Sequence, residues 1–160
     1  MEYITFRLID PNTKKIRYTG IKYKHSVFNE KDIQRIKKTG TSNKEIKNWI
    51  KTLKENNQTP IIEILYKGNS SQEACYIKQQ DIINFLDPKF HFINKKIRKK
   101  FYTKKHRNNL EARRKIKDQF NNIYEGILEA AEKLMISPSN ISKVLHGYLE
   151  HASGYIFSFV

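Results

Sequence analysis

The sequence predicts an α+β fold, in which a small antiparallel sheet flanked by helices is followed by a basic linker helix and a C-terminal helix-turn-helix module with a short terminal strand. Two β-rich runs, 3–9 and 15–21, flank the turn sequence that begins with Asp10 and Pro11, and so predict a hairpin. Helical periodicity follows this hairpin and returns near the C-terminus. A strongly basic stretch separates the two regions. We therefore expect an α+β domain at 1–90, a linker at 91–125 and a module at 126–160.

Two helices are expected after the hairpin, at about 29–38 and 44–54, because apolar side chains recur there at helical spacing. Ile46, Ile50 and Leu53 share one face of the second helix with Trp49. The run 60–66 is a strand apolar enough to be central in the sheet. Ser70 is placed to cap a last helix. The apolar positions of that helix are Ala74, Ile77, Ile82 and Phe85.

The C-terminal region begins with a helix marked by Leu128, Ala131 and Leu134 at helical spacing. Met135 and Ile136 close this helix onto a turn. A second helix follows, for which Ser137 is a suitable N-cap and Pro138 occupies the first helical position, where its missing N–H costs nothing. Ile141, Val144 and Leu145 form the buried stripe of this second helix, and Gly147 ends it.

The other side of the second helix carries polar residues, which are Ser139, Asn140, Ser142, Lys143 and His146. A helix pair with small residues at its crossing and short polar side chains on its second helix is how a helix-turn-helix reads bases in the major groove. The alternative is an ordinary helical hairpin whose polar face meets only water. The stretch 153–159 is then expected to be an alternating strand headed by a glycine.

The segments 130–134, 141–147 and 154–157 together resemble the intron-encoded nuclease repeat. That repeat is a DNA-binding module at the C-terminal end of homing endonucleases. Helix, glycine and terminal aromatic strand fall in the same order here. The chain departs from the pattern at Phe157, where such modules often carry tryptophan, but a large apolar anchor is kept.

The charge of the chain favours a polyanionic partner. With 31 Lys and Arg against 16 Asp and Glu the net charge is +15, enough to attract nucleic acid in a salt-dependent way. The distribution is uneven: 1–94 carries 17 basic and 10 acidic residues, 95–117 carries 12 and 1, and 118–160 carries 2 and 5. The charge is therefore concentrated before the helix-turn-helix, which is itself slightly acidic.

The basic segment 95–117 is expected to contact DNA phosphates and so position the reading module. A solvated linker helix and a nuclear-localisation signal are the alternatives. The residues expected to contact DNA here are Lys95, Lys96, Arg98, Lys99, Lys100, Lys104, Lys105, Arg107, Arg113 and Arg114.

Four blocks in the first 90 residues, 6–11, 16–20, 49–53 and 60–64, resemble the GIY-YIG nuclease domain in order and largely in spacing. The resemblance implies a tyrosine in each of two motifs, an arginine on the first helix that stabilises the phosphate, and a metal-binding glutamate on a later helix. Tyr18 matches the second tyrosine and Gly20 its glycine. Arg35 is the only arginine on the first helix. Phe6 falls on the first tyrosine position and lacks the hydroxyl, while Tyr3 is expected on the opposite face of the strand.

The metal position that this resemblance implies is occupied by Lys78, one helical turn after Ala74. A lysine cannot ligate Mg²⁺, which requires oxygen ligands. Glu73 and Asp81 are the nearest carboxylates, and neither replaces the glutamate cleanly. We therefore expect no metal site and no cofactor if the nuclease is inactive, and Mg²⁺ if it is active.

Other site chemistries lack support. The five histidines have no metal-ligand spacing, glycine-rich phosphate loops are missing, and the single cysteine, Cys75, excludes an internal disulfide. No apolar run is long enough to span a membrane, and no secretory signal is expected. The expected partner is double-stranded DNA in the cytosol, near the nucleoid, with no small-molecule substrate.

The sequence thus predicts a phage-type or mobile-element homing-endonuclease relative that binds DNA with sequence preference and is impaired as a nuclease, acting as a regulator or competitor at its site. One alternative is an active site-specific GIY-YIG endonuclease. Another is an RNA-binding or protein-docking module. A carboxylate near Tyr18 would favour the active enzyme, and preference for single-stranded RNA over duplex DNA would favour the last reading.

Overall fold

The computed structural model describes residues 1–26, 30–39, 44–85 and 114–160. The chain forms two compact units, Met1–Phe85 and Leu86–Val160, which are described separately. The described residues contain five helices and two three-stranded antiparallel sheets. The predicted α+β class is therefore confirmed. Of the expected linker helix, residues 91–113 lie outside the described residues, while 114–125 contains two short strands instead of a helix. The three-part domain division stays a prediction.

The first unit contains six elements, and their order confirms the predicted hairpin, helix pair, strand and last helix. They are β1 (Glu2–Ile9), β2 (Ile16–Lys24), α1 (Glu30–Thr39), α2 (Lys44–Glu55), β3 (Ile61–Gly68) and α3 (Ser71–Asn84). One face of the sheet lies against α3, to which Thr5 of β1 donates a 2.8 Å hydrogen bond at the carbonyl of Ala74. The other face carries Ile4, Phe6 and Leu8, all buried. α1 and α2 supply the remaining apolar core, which consists of Ile36, Ile46, Ile50 and Leu53.

The turn between β1 and β2 is organised by the buried carboxylate of Asp10. Its Oδ1 accepts hydrogen bonds from the backbone N–H of Asn12 (3.0 Å) and of Thr13 (3.1 Å). Its Oδ2 accepts from Arg17 (3.2 Å) and from the indole of Trp49 (3.3 Å) on α2. Burial acts to raise the pKa of Asp10, but the two backbone hydrogen bonds and Arg17 outweigh it and hold the pKa below its ordinary value.

The lowered pKa of Asp10 makes the first unit sensitive to acid. The stabilisation is present above the ordinary Asp pKa of about 3.9 and is lost as the pH falls through the folded-state value. We expect unfolding free energy to fall more steeply below about pH 5 in the wild type than in Asp10→Asn. Urea unfolding followed by the fluorescence of the single tryptophan, Trp49, measures this unit alone. Parallel pH profiles in the two proteins would contradict the prediction.

The position predicted for the third strand is wrong, because β3 lies at an edge of the sheet. The strand order is β2-β1-β3, so β1 is central and pairs antiparallel with both neighbours. Ile61 and Ile64 of β3 are more than a third exposed, whereas Thr5 and Phe6 of β1 are fully buried on its two faces. An apolar run indicates a strand but not its place in the sheet, since that depends on which strands pair across the chain.

The last helix of this unit, α3, begins as expected. Ser70 is its N-cap, with Oγ accepting a 3.1 Å hydrogen bond from the backbone N–H of Glu73. The expected apolar face is only partly correct, because Ile77 and Ile82 are half-buried and Phe85 is exposed. The buried residues of α3 are Ala74, Gln79 and Asp81. The carboxylate of Asp81 is buried here because it has partners on the sheet, as described below.

The second unit combines a small sheet with a helix pair. Its elements are β4 (Ile116–Asp118), β5 (Ile123–Tyr124), α4 (Ile127–Leu134), α5 (Pro138–Leu145) and β6 (Phe157–Phe159), and the strand order is β5-β4-β6. The β4–β5 hairpin was not predicted, since its residues were assigned to the linker. It is closed by Asp118, which is 3% exposed. Its carboxylate accepts four hydrogen bonds, from Phe120 N, Asn122 N, Asn122 Nδ2 and Tyr124 Oη, at 2.9–3.0 Å.

The terminal strand is shorter than predicted. Only Phe157–Phe159 pairs with β4, whereas Ala152 and Tyr155 form an isolated bridge across a tight turn. Ser153 (φ 53°) and Gly154 (φ 85°) both lie in the left-handed region at that turn, which is typical of a two-residue hairpin loop. The predicted strand was too long because the alternating residue pattern of 153–159 is compatible with a turn followed by a shorter strand.

No helix in the described part of the chain combines the length and apolar character needed to cross a membrane.

Candidate nucleic-acid interface

The first helix of the pair, α4, is held by a continuous apolar face. Ile127, Ala130, Ala131 and Leu134 are buried. The helix ends at Met135, which adopts the left-handed conformation (φ 55°). The backbone N–H of Ile136 reaches back to the carbonyl of Ala131 at 3.1 Å, and the Ile136 side chain is buried. This left-handed cap turns the chain sharply, as expected from the sequence.

The second helix, α5, begins with Ser137 in an extended conformation at the N-cap and Pro138 in the first turn. The Ser137 side chain makes no capping hydrogen bond, but its carbonyl accepts from the backbone N–H of Asn140 (2.9 Å) and of Ile141 (3.1 Å). Ile141 and Val144 are buried against the rest of the unit. The predicted helix start and buried stripe are therefore confirmed, with Leu145 half-buried.

The outward side of α5 has the predicted polar character. Ser139, Asn140, Lys143 and His146 are exposed, and Ser142 is half-buried. These positions follow helical spacing, so their side chains project from one side of the helix. Short donors and acceptors followed by a cation are the groups that contact base edges and phosphates in a major groove. α5 therefore presents an exposed polar face, and its opposite side is buried in the core.

The C-terminal end of α5 adds an aromatic pair that the sequence reading did not single out. The Nδ1 of His146 lies 2.7 Å from the carbonyl of Ser142. The His146 ring stacks on Tyr148 with 6.4 Å between ring centroids, and Tyr148 is 78% exposed. Gly147 between them has φ +75°, the left-handed conformation expected of a residue that ends a helix. A stacked ring is thus exposed beside the polar face.

Long-range contacts hold the turn before the terminal strand on the β4–β5 hairpin. Gln119, in the β4–β5 turn, donates to the carbonyl of Gly154 (3.2 Å) and accepts from the backbone N–H of Ile156 (2.8 Å). These contacts join positions 35 and 37 residues apart, so no local sequence signal could have revealed them. The Asp118 turn, by contrast, has a local signature, because Asp and Asn are common where a side chain caps its own turn.

Most of the predicted phosphate contacts lie outside the described residues, namely those from Lys95 to Arg113. Of the described part of this basic segment, Arg114 lies over the Phe159 ring, with its Cζ 4.2 Å from the ring centroid. Lys115 forms a 3.0 Å ion pair with Glu125. Both contacts fall within the second unit, so this end of the segment is attached to the folded module.

The residues that resemble a nuclease site lie in the first unit. Phe6 is fully buried, and its ring centroid lies 6.2 Å from that of Tyr18. The Tyr18 ring lies across Gly20, so that any side chain at position 20 would collide with it. This contact explains why glycine follows tyrosine at that spacing. Tyr3 instead lies beside Tyr23, with 6.1 Å between ring centroids.

A polar network that the sequence reading missed joins the sheet to α3. Arg7 forms two hydrogen bonds with Glu63, at 2.8 and 2.9 Å, and a third with Asp81 at 3.2 Å. Asp81 also accepts a 2.5 Å hydrogen bond from Thr19. The Arg7 guanidinium lies 4.9 Å from the centroid of the Phe85 ring. These contacts join three strands and a helix, which accounts for a buried carboxylate on α3.

The Arg7 network engages Asp81, one of the two carboxylates nearest to the expected metal position in sequence, together with Glu63 of β3. Hydrogen bonding to Arg7 is the main cause that lowers the pKa of Glu63, and the same bond is the main cause that raises the pKa of Arg7. Because Thr19 faces α3, alternation along β2 places its neighbour Tyr18 on the opposite face of the sheet from Asp81. The structure thus separates Tyr18 from the carboxylate of Asp81.

The remaining candidate residues are dispersed. Arg35 lies on the exposed side of α1, and Lys78 is half-buried on α3. Within the described residues, no group of three or more His, Cys, Asp or Glu side chains is arranged to hold a metal ion. The residues that resemble a nuclease site are therefore not gathered around a set of metal ligands.

Comparison with protein families gives a match that covers the helix pair. Residues 120–158 match the DNA endonuclease I-HmuI-like, NUMOD-like domain. The NUMOD-like segment spans about a quarter of the chain and includes α4, α5 and the start of β6. It coincides with the region in which the sequence resembled a homing-endonuclease DNA-binding module, and it favours DNA as the partner. Neither the curated proteins nor the solved structures gave a match.

Proposed function

We propose that this protein binds double-stranded DNA with sequence preference, and that α5 lies in the major groove. The observation that carries the proposal is the exposed polar side of α5, Ser139, Asn140 and Lys143, on a helix buried by Ile141 and Val144 inside the NUMOD-like segment. A reading helix must be rigid on one side and polar on the other, because base contacts require fixed geometry. Both conditions are met in α5.

The proposal extends to the first unit, which we take as a relative of the GIY-YIG nuclease domain with impaired catalysis. The order of strands and helices, together with Tyr18 packed on Gly20, supports the relationship. Impairment is supported by Phe6, which has no hydroxyl, and by Lys78 at the metal position. The protein would then act as a regulator or competitor at its DNA site.

The residues present do not fit a divalent cation of the kind that the resemblance implies. Lys78 offers a positive charge where an oxygen ligand is needed. Of the two nearest carboxylates in sequence, Asp81 is bonded to Arg7, which also binds Glu63 and carries a positive charge of its own, and Glu73 is exposed. A cation at Asp81 would have to displace the Arg7 guanidinium, and no catalytic step is therefore assigned to a metal.

An active site-specific nuclease is the second candidate, favoured by the retained Tyr18 and Gly20. It differs from the first in one requirement, since an active site must bring a carboxylate and a metal to the scissile phosphate. The cleavage experiment described in the Discussion separates the two candidates, because both bind DNA and only one cuts it.

The reading role of α5 is tested by replacing Asn140 and Lys143 with alanine. Each lost base contact should cost about 1 to 3 kcal/mol at the preferred site, which is about a 5- to 150-fold loss of affinity. Affinity for random duplexes should change little, apart from any phosphate contact of Lys143. Selection from a random duplex library, followed by titration of the selected and random sites, measures both quantities.

Lys133→Ala is the matched control for charge, since Lys133 is an exposed lysine on α4 whose partner is Glu129 (2.7 Å). It should leave the selected motif unchanged. If the double alanine variant selects the same motif as the wild type with the same affinity ratio, α5 is not the reader. If wild type itself shows no preference among duplexes, the proposal as a whole is refuted.

A further inference from the structure

Exposed cations on two helices of the first unit, α1 and α2, form a surface of which the nuclease resemblance invokes only Arg35 and which lies outside the NUMOD-like segment. On α2, Lys44, Lys47, Lys51 and Lys54 are all exposed and follow spacings of three, four and three residues. This spacing places them along one side of the helix, next to the side opposite the buried Ile46, Ile50 and Leu53. We call these four residues the α2 lysine row.

The α2 lysine row has no ion-pair partner within the described residues. By contrast, four other cations of the first unit face a carboxylate, in the pairs Arg7–Glu63, Arg17–Asp10, Lys24–Asp32 and Lys67–Glu2. Of the acidic residues of α2, Glu45 lies off the row, and Glu55 follows Lys51 by four residues at the end of the helix. With four lysines against one carboxylate on this side, the row keeps an excess of positive charge.

The row does not serve helix stability. Lysines three and four residues apart repel each other, whereas a helix stabilised by its surface charges alternates opposite signs at those spacings. The neighbouring positions in this row are 44 and 47, 47 and 51, and 51 and 54, and each of these pairs consists of two positive charges. This repulsion weakens the free helix, and an anion bound along the row reduces the repulsion.

The first helix of the unit adds to the same kind of surface. Lys31, Arg35 and Lys38 on α1 are exposed and spaced by four and three residues, with Gln34 between them. α1 packs against α2. The acidic Asp32 of α1 is paired with Lys24. The outward sides of two neighbouring helices therefore carry seven cations in rows.

We propose that the α2 lysine row, assisted by α1, is a second DNA-contacting surface that binds the phosphates of the duplex whose sequence α5 reads. Ten residues of helix from Lys44 to Lys54 span about 15 Å. One strand of B-DNA presents a phosphate about every 3.4 Å of helix axis, so the row matches about four phosphates in length. The inference rests on the proposed function, since it takes the same duplex as the partner.

A second observation, the charge of the module that carries α5, favours such a surface. Residues 118–160, which include the reading helix, carry 2 basic and 5 acidic side chains. A module with this balance repels phosphates at long range, so the electrostatic part of the affinity must come from other segments. The α2 lysine row provides this attraction in a folded element, in addition to the basic segment 95–117.

The test compares two triple variants of the full chain that remove the same charge. In the row variant, Lys44, Lys47 and Lys51 are replaced by Gln. In the control variant, Lys14, Lys15 and Lys67, exposed lysines outside α1 and α2, are replaced by Gln. Fluorescence anisotropy with the selected duplex and a random duplex at several KCl concentrations yields the slope of log affinity against log salt and the ratio of the two affinities.

The row variant should lose up to about 2.7 units of slope, about 0.9 for each phosphate contact. The control variant should lose less than about one unit. The affinity ratio should be unchanged in both, because phosphate contacts carry no sequence information. Replacing the same three lysines by Arg should keep the wild-type slope, since the charge remains. Trp49 fluorescence verifies that α2 is folded. The melting temperature of the row variant should not be lower than that of the wild type, since the substitutions remove like-charge repulsion.

Three results would overturn the inference: an unchanged slope in the row variant, an equal loss in the control variant, or a loss seen with single-stranded RNA and not with duplex DNA. None of these requires the proposed function to fail, because the affinity ratio reports on α5 independently. A different result separates the two proposals. If the wild type binds the selected and random duplexes equally well while the row variant still loses slope, the phosphate-binding role of the row is supported and the reading role of α5 is refuted.

Discussion

A supercoiled plasmid that carries the selected site should stay intact when it is incubated with this protein and Mg²⁺ or Mn²⁺. Phe6 is fully buried and has no hydroxyl with which to orient water or relay a proton. Lys78 stands where the resemblance calls for a carboxylate, and Arg7 already bonds Asp81 and Glu63. Loss of positioned proton transfer alone costs about 10²- to 10⁴-fold in rate, and loss of the metal adds several kcal/mol to the barrier.

The cleavage assay needs evidence that the protein is bound, so a gel shift of the same plasmid fragment accompanies it. Tyr18→Phe is the decisive comparison, because Tyr18 is the only motif tyrosine that remains. Metal-dependent nicking that disappears in Tyr18→Phe would show that the nuclease is catalytically active and would contradict our interpretation of Phe6 and Lys78. A melting temperature that rises with Mg²⁺ would point the same way, since a ligand that binds only the folded state must stabilise it.

Asp118→Ala should unfold or severely loosen the helix-turn-helix module of the second unit. Asp118 is buried and accepts four hydrogen bonds that hold the β4–β5 turn and the hydroxyl of Tyr124. Alanine would leave the buried hydroxyl of Tyr124 without an acceptor and would remove the acceptor of the part-buried turn amides of Phe120 and Asn122. An unsatisfied buried donor costs about 1 to 3 kcal/mol, and with the loss of the turn contacts we expect a total of about 2 to 4 kcal/mol, which is large for a single substitution.

Amide hydrogen exchange in β4, α4 and α5 measures this loss of stability. Tryptophan fluorescence does not report on it, because the single tryptophan lies in the first unit. Asp118→Asn, which keeps the shape and one acceptor oxygen, should lose less. Glu125→Ala removes an exposed carboxylate from the same module (72% exposed side chain) and should change stability by less than about 0.5 kcal/mol. DNA preference should fall together with protection in Asp118→Ala. Wild-type protection of α5 in that variant would contradict the role assigned to the turn.

Stability of the module and recognition of DNA are therefore linked. The polar face of α5 is useful only while Ile141 and Val144 remain buried, because a base contact depends on a side chain held in a fixed place. The Gln119 contacts to Gly154 and Ile156 hold the terminal strand in the same way. Residues far from the DNA should thus affect sequence preference through the order of the module, and the loss of affinity should follow the loss of protection.

The elements whose signals are local were determined by the sequence. Asp10 and Pro11 mark the first turn, Ser70 caps α3, and Ser137 with Pro138 begins α5. In each case the decisive interactions join residues a few positions apart, so they can be recognised from spacing alone. The polar outer side of α5 belongs to this class, because helical periodicity assigns each residue to a face once the helix is identified.

Tertiary structure alone decided which strands pair and which polar groups are buried. β3 is an edge strand because β1 pairs with both neighbours, and Asp81 is buried because Arg7 and Thr19 reach it from 74 and 62 residues away. The β4–β6 pairing joins segments about forty residues apart. A short run of sequence does not encode such partners, because the free energy of a long-range pair depends on the whole packed chain and on loop closure.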